Sequence, residues 1–208
     1  MRCDVDMDWF STIVGAAIGF LASIGTMLVQ QWMDKAGKIK IYCKIMQGDD
    51  PILSVGYKTS FSDSGMISLL VPIRLEIQNT TNTCRVIRDV SMWLYNGSKQ
   101  VAEMIQIENV QHKQTTNGAV TLESTNEYGA DKNMYSFVIQ PRSIQREHCA
   151  YAFKTSKDDI KKYIFDDIRL AYFDEKDRKH VFSIRKVESA WKGAPIDGDK
   201  DWILLKEC

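Results

Sequence analysis

His148 and Cys149 are the one place in this chain where a base and a thiol are sequence neighbours, and nucleophilic catalysis is the chemistry such a pair could do. A dyad needs the imidazole within hydrogen-bond reach of the sulfur, whereas adjacent side chains on a strand point to opposite faces. Cys149 is in phase with Tyr151 and Phe153 and is predicted to fill core. His112 and His180 stand alone, in a polar stretch and at a strand start, and read as surface residues. Asp197, Asp199 and Asp201 alternate, as carboxylates that converge on a hard cation can. A calcium loop beginning there needs Gly at its sixth position and Glu at its twelfth, and these are Trp202 and Cys208. A solvated tail is the expectation. Cys3, Cys43, Cys84, Cys149 and Cys208 are irregularly spaced, with no CxxC and no Cys/His ligand pairing, so no metal site or other cofactor is expected. No catalytic residue can be assigned.

The remaining constellation lies near the N-terminus, where Ser11, Gly15, Gly19 and Ser23 recur every four residues. That spacing lines one helix face with small side chains, which lets a second helix approach to backbone contact in lipid. It allows a homo-oligomer through this face, and equally a face that simply meets lipid.

The element that must position those residues is the uncharged run Trp9 to Met33, bracketed by Asp8 and Asp34. As a helix it is roughly 37 Å long at ~1.5 Å per residue, enough for a hydrocarbon core of ~30 Å with some tilt. Trp9 and Trp32 mark its ends, where indoles favour the headgroup layer, and Lys35 and Lys38 follow on the polar side. A cleaved export signal would have a basic leader, but Arg2 here faces Asp4, Asp6 and Asp8, and the apolar run continues past Ser23 and Gly25. A buried helix of this length would normally carry a charge. A transmembrane anchor with membrane lipid as its first partner is the reading. Lys35, Lys38, Lys40 and Lys44 on one side, against Arg2 on the other, predict an outward N-terminus and a cytoplasmic C-terminal domain.

The expected organisation is a short acidic tail at 1–8, a transmembrane helix at 9–33, and one domain at 34–208 with no Pro/Gly/Ser-rich linker or repeat. Period-two alternation dominates that domain. Ile39, Ile41, Cys43 and Ile45 are in phase, as are Val71, Ile73, Leu75 and Ile77, and Val90, Met92 and Leu94. Asn96-Gly97 offers the positive φ values of a type I′ hairpin, with Val101 to Ile107 returning as partner. Further strands are expected around Phe137 and Ile139, Cys149 to Phe153, and Ile168 to Tyr172. Phe182 and Ile184 close a last hairpin over the charged turn Asp174 to Lys179. Ser156 and Asp159 form a capping box for one short helix, with Ile160, Tyr163 and Ile164 on its face. Asp158-Asp159 complements that helix dipole, and Asp166-Asp167 reads as ordinary surface charge. Such a pattern predicts a mainly β fold: an antiparallel sandwich of immunoglobulin-like type. Two long polar stretches, Gln47 to Gly65 and Glu108 to Met134, are predicted loops, and Trp93 and Tyr95 alternate onto the face opposite the core.

The chain has 27 basic and 27 acidic residues. Removing Arg2 and the three N-terminal aspartates leaves only a slight basic excess, which excludes a sequence-independent nucleic-acid binder. Val71-Pro72-Ile73-Arg74-Leu75-Glu76-Ile77-Gln78-Asn79, Val86-Ile87-Arg88-Asp89-Val90 and Ile139-Gln140-Pro141-Arg142-Ser143-Ile144 resemble segments of bacterial single-span membrane proteins with a C-terminal β-sandwich. The resemblance implies a fold and an anchor and carries over no functional residue. The expected function is a membrane-anchored binding or scaffold module for an unknown protein partner. A membrane-tethered enzyme with a loop-built site, for instance His112 with an acid, and a membrane-active oligomer are the alternatives.

Overall fold

The computed structural model describes residues 9–47, 54–59, 65–116, 119–128, 135–188, 190–191 and 197–207. Helix α1, Trp9–Lys35, follows the uncharged run and extends two residues beyond it. Its segment Ser11–Met33 is long and apolar enough to cross a membrane, and none of it is buried against the rest of the molecule. Gly37 (φ +112°) ends the helical path, and a Cβ there would lie 2.5 Å from the Thr80 carbonyl oxygen, so only glycine lets the chain turn so close to that loop. The Thr80 N–H then donates to the Lys38 carbonyl and the Lys38 N–H to Thr80 Oγ1, and the Asn82 side-chain amide donates to the Met33 carbonyl at 3.3 Å.

The alternating residues form two antiparallel sheets. In the larger, β1 (Ile39–Ile45) pairs with β3 (Met66–Asn79), and β3 pairs along its whole length with β9 (Ser143–Ser156). A short β2 (Gly56–Thr59) pairs with the first part of β3. The smaller sheet runs β11 (Lys179–Lys186), β10 (Asp167–Phe173), β4 (Arg85–Asn96) and β5 (Lys99–Glu103), with β8 (Phe137–Ile139) on the start of β4. Period two explains their packing. Ile41, Cys43, Ile45, Ile73, Leu75 and Ile77 face Val90, Met92, Leu94, Ile168, Leu170 and Tyr172 in one buried cluster. Pro72 is tolerated inside β3 because its carbonyl, and therefore its missing N–H, faces the edge where the neighbour changes from β1 to β2.

Several expectations are corrected. The segment Val101 to Ile107 is not one strand: Met104, buried and bonded through its N–H to Met92, is the pivot at which the chain leaves β5 and enters β6 (Ile105–Thr116) in the other sheet. The tight turn is Gly97-Ser98, with Asn96 paired to Lys99 and only Gly97 left-handed (φ +58°), so the two-residue type I′ assignment fails by one position. The short helix is a single 3-10 turn, Ile160–Lys162; Ser156 and Asp159 do bond to each other, but no helix follows. Much of the Glu108 to Met134 stretch is a ladder between β6 and β7 (Ala119–Tyr128), while Asn117-Gly118, residues 48–53, 60–64 and 129–134, and the tail 1–8 lie outside the described residues. The last hairpin does not end the fold either. Strand β12 (Ile203–Glu207) adds to the free edge of β1.

Candidate functional site

Asp174 ends β10 and opens the charged turn to β11, where its carboxylate replaces the missing ladder. One oxygen accepts the N–H groups of Lys176 (2.9 Å) and Arg178 (3.0 Å), and the other accepts Arg178 Nε (2.9 Å). That second oxygen also lies 2.9 Å from His180 Nε2. Lys206, reaching over from β12, places Nζ 3.0 Å from His180 Nδ1 and 2.9 Å from Nε2. A carboxylate only accepts, so the ring nitrogen facing Asp174 donates to it, and Lys206 Nζ lies nearly equidistant from the two ring nitrogens. Burial opposes the Asp174 charge, but His180, Arg178 and the two turn N–H groups outweigh it and hold its carboxyl well below the usual range. His180, expected at the surface, is therefore half-buried and tilted against Tyr172, with ring centroids 5.1 Å apart.

This cluster borders a cleft of about 200 Å³ between the two sheets at the end where α1 enters. Ile39, Ile41 and Val86 line its apolar side, and Arg85, Lys176, Arg178 and Lys206 its charged side. Arg85 pairs with Glu175 at 2.5 Å. An imidazole held by a carboxylate has the arrangement of a general base. Among the described residues, however, no Ser, Thr or Cys lines the cleft, and the Lys206 ammonium lies against both ring nitrogens of His180. The geometry suits binding an anion better than moving a proton.

The other predicted residues are placed as follows. Ser11, Gly15, Gly19 and Ser23 lie on exposed α1, where nothing beyond the chain neighbours and the helix's own backbone comes within 4 Å of a Cβ built at Gly15 or Gly19, and Ser23 Oγ donates to the Gly19 carbonyl. Trp9 and Trp32 are exposed at the two ends of the helix. Lys35 is its last residue, with its side chain outside the described residues, and Lys38 is exposed just beyond. His148 is exposed and Cys149 buried, on opposite faces of β9, as the alternation requires. His112 lies on β6, with its side chain outside the described residues. Asp199 is not a solvated tail: it accepts the Ile45 N–H at 2.8 Å and pairs with Arg185. Among the described residues, no three His, Cys, Asp or Glu side chains are grouped to hold a metal.

Asp167 is a further correction. Expected as surface charge, it is fully buried and accepts Ser183 Oγ (2.6 Å), Arg169 Nε (2.6 Å) and Lys186 Nζ (2.9 Å). Trp93 and Tyr95 do occupy the outer face of this sheet, under Lys179 and Arg169 respectively.

Compared with protein-family models, curated proteins and solved structures, the chain matches none. Its function has to be argued from the geometry alone. The Asp174, His180 and Lys206 cluster was not visible in sequence, because its third member arrives from a strand added across the fold. Only the Asp at the head of a charged turn was a local signal.

Proposed function

We propose that the chain is a membrane-anchored, non-catalytic binding or scaffold module. In this reading α1 crosses the bilayer with residues 1–8 outside, and the two-sheet body, taken as an immunoglobulin-like sandwich, is held at the cytoplasmic face for a protein partner. The observation that carries it is the unburied apolar surface of α1: Ile18, Phe20, Leu21, Leu28 and Val29 are all more than half exposed along a helix that meets the body only at its end. In water such a surface would aggregate, whereas in lipid it is the solvated state. The exposed indoles at both ends and the lysines after Met33 support the same placement.

Detergent-phase partition after alkaline extraction, with mass spectrometry of the intact N-terminus, tests the anchor. Recovery in the aqueous phase, or loss of the first thirty-odd residues, overturns it. Orientation is read from Cys84, which is exposed, while Cys43 and Cys149 are buried and Cys43 is pushed up to about 12 by burial and by the Asp199 charge. With Cys3→Ser and Cys208→Ser in place, an impermeant maleimide should label Cys84 only after permeabilisation. For the scaffold role, cross-linking in cells followed by detergent extraction should recover a defined protein; recovery of none counts against it.

Open space around Gly15 and Gly19 favours a second reading, a homo-oligomer assembled through α1. Gly15→Leu with Gly19→Leu should then lower the oligomeric state in detergent. An unchanged state removes it. The bond from His180 to Asp174 is the observation on the side of a tethered enzyme, and the Lys206 ammonium against both ring nitrogens argues against it.

A further inference from the structure

The helix-proximal cleft carries more positive charge than its own carboxylates match. Arg85, Lys176, Arg178 and Lys206 stand against Asp174 and Glu175. Asp174 is filled by donors from its own turn and by His180, and Glu175 takes only Arg85 Nη1. Arg85 Nε is buried with no acceptor among the described residues. None of the ion pairs among the described residues includes Lys176 or Lys206. Donors from β4, the β10–β11 turn and β12 therefore converge on one space of about 200 Å³. At ~30 Å³ per water that is room for roughly six waters, or for one compact anion with a substituent. A guanidinium fork and ammonium point charges are the groups that recognise a phosphate.

Position narrows the source of that phosphate. Gly37 lines the same cleft, two positions after α1 ends at Lys35, and Ile39, Ile41 and Val86 give it an apolar wall. If α1 crosses a membrane, as proposed above, the cleft opens in the layer where anionic headgroups are concentrated. We infer that this cleft binds a phosphate-bearing anion, and that the anion is the headgroup of an acidic phospholipid in the leaflet from which α1 emerges. The apolar wall meets the glycerol end of the lipid, and Arg85, Lys176 and Lys206 meet the phosphate. One bound lipid then fixes the tilt of the body against the bilayer.

The test uses the full chain in neutral detergent, mixed with dioleoyl phosphatidic acid and dioleoyl phosphatidylcholine, with retained lipid counted by native mass spectrometry. The expected result is one phosphatidic acid per chain, preferred by at least ~10-fold, and a loss of ~10-fold or more in Arg85→Gln and Lys206→Gln. Lys176→Glu changes an exposed turn residue, so its loss of lipid cannot be put down to misfolding. Lys161→Gln, at the opposite end of the body, should retain lipid as the parent does. Equal retention of the two lipids, or retention untouched by Lys176→Glu, overturns the inference. In a second arm, sodium phosphate and glycerol 3-phosphate replace the lipid. Saturable binding of either, lost in the same variants, with no preference for phosphatidic acid over phosphatidylcholine, overturns the lipid source and supports the phosphate chemistry. The anchor fails separately, in phase partition, which no cleft variant should alter. A chain that partitions into detergent yet shows no anionic preference overturns the cleft alone.

Discussion

Strand β10 has a buried carboxylate at each end, Asp167 where it begins and Asp174 just after it finishes, and the two ends are used differently. Asp167 is closed in by side chains: Ser183, Arg169 and Lys186 fill it, and Arg169 goes on to the Gly97 carbonyl and the Tyr95 ring. Asp174 is filled mainly from its own turn, and Lys176 and Lys206, on the cleft beyond it, are in no ion pair among the described residues. Both charges are held below the usual carboxylate range, each against the opposing effect of burial. A depressed carboxylate therefore does not mark a site. The surplus of donors next to an opening does.

The comparison breaks most sharply at Asp167. Removing one member of a buried ionic group costs ~3–5 kcal/mol when the others stay buried, but Lys186 is largely exposed, so Asp167→Ala should cost about 3 kcal/mol. For a body of this size that lowers Tm by roughly 6–12 °C. Asp174→Ala should cost about 2 kcal/mol, because water can reach the turn N–H groups it leaves behind. Thermal unfolding of the full chain in neutral detergent gives the order. An Asp174→Ala cost equal to or above that of Asp167→Ala would remove the distinction between a closed network and an open one.

The entry of α1 is the next largest effect. Gly37 has φ +112°, and a Cβ there would meet the Thr80 carbonyl oxygen at 2.5 Å. Gly37→Ala combines a sparsely allowed backbone with that clash, and should cost about 2 kcal/mol. It should also shift the cleft wall, weakening anion retention, while Gly97→Ala at the distal end (φ +58°, open space) should leave retention unchanged. Loss of retention in both variants would mean the cleft responds to general instability.

How far this arrangement was legible in sequence follows from which interactions are local. Alternation exposed the faces of β1, β3, β4, β9 and β10, because period two acts within a single strand. The uncharged run exposed α1 for the same reason. Met104 escaped notice since one buried residue switches sheets without breaking the alternation around it. Strand β12 was hidden behind three aspartates that look like a solvated tail, yet Asp199 is tied to Ile45 and Arg185 from distant strands. Asp167 reads as surface charge for a related cause: two of its three partners, Lys186 and Ser183, lie on the neighbouring strand. The candidate cleft combines β1, β4, β10 and β12, so no window of sequence contains it.

Acid should affect both ends of β10 in the same direction. A carboxyl whose folded-state value is depressed contributes stability in full above its unfolded value, near 3.9, and loses it as pH falls through the folded value. The body should therefore lose stability progressively below about pH 4, with Asp167→Asn and Asp174→Asn each flattening that slope. Unfolding midpoints between pH 5 and pH 2 supply the check. A variant that keeps the full parental slope would show that its carboxylate carries none of the acid sensitivity.

The smallest expected effect compares an aromatic contact on the outer face of the smaller sheet with one at the cleft. Lys179 Nζ lies 5.2 Å from the Trp93 ring centre on the outer face, where the indole N–H also donates to Ser91 Oγ at 3.0 Å. Lys206 Nζ lies 5.7 Å from the Tyr172 ring centre at the cleft. A cation over an exposed ring contributes ~0.5–1 kcal/mol. Trp93→Leu should thus cost about 1 kcal/mol with no change in anion retention, since its ring lies on the outer face of the sheet and does not line the cleft. Tyr172 is buried, and Tyr172→Leu removes core as well as the ring beneath Lys206, so it should cost more and weaken retention together. The discriminating measurement is retention normalised to folded protein. If Trp93→Leu weakens it as much as Tyr172→Leu does, the outer face and the cleft are coupled.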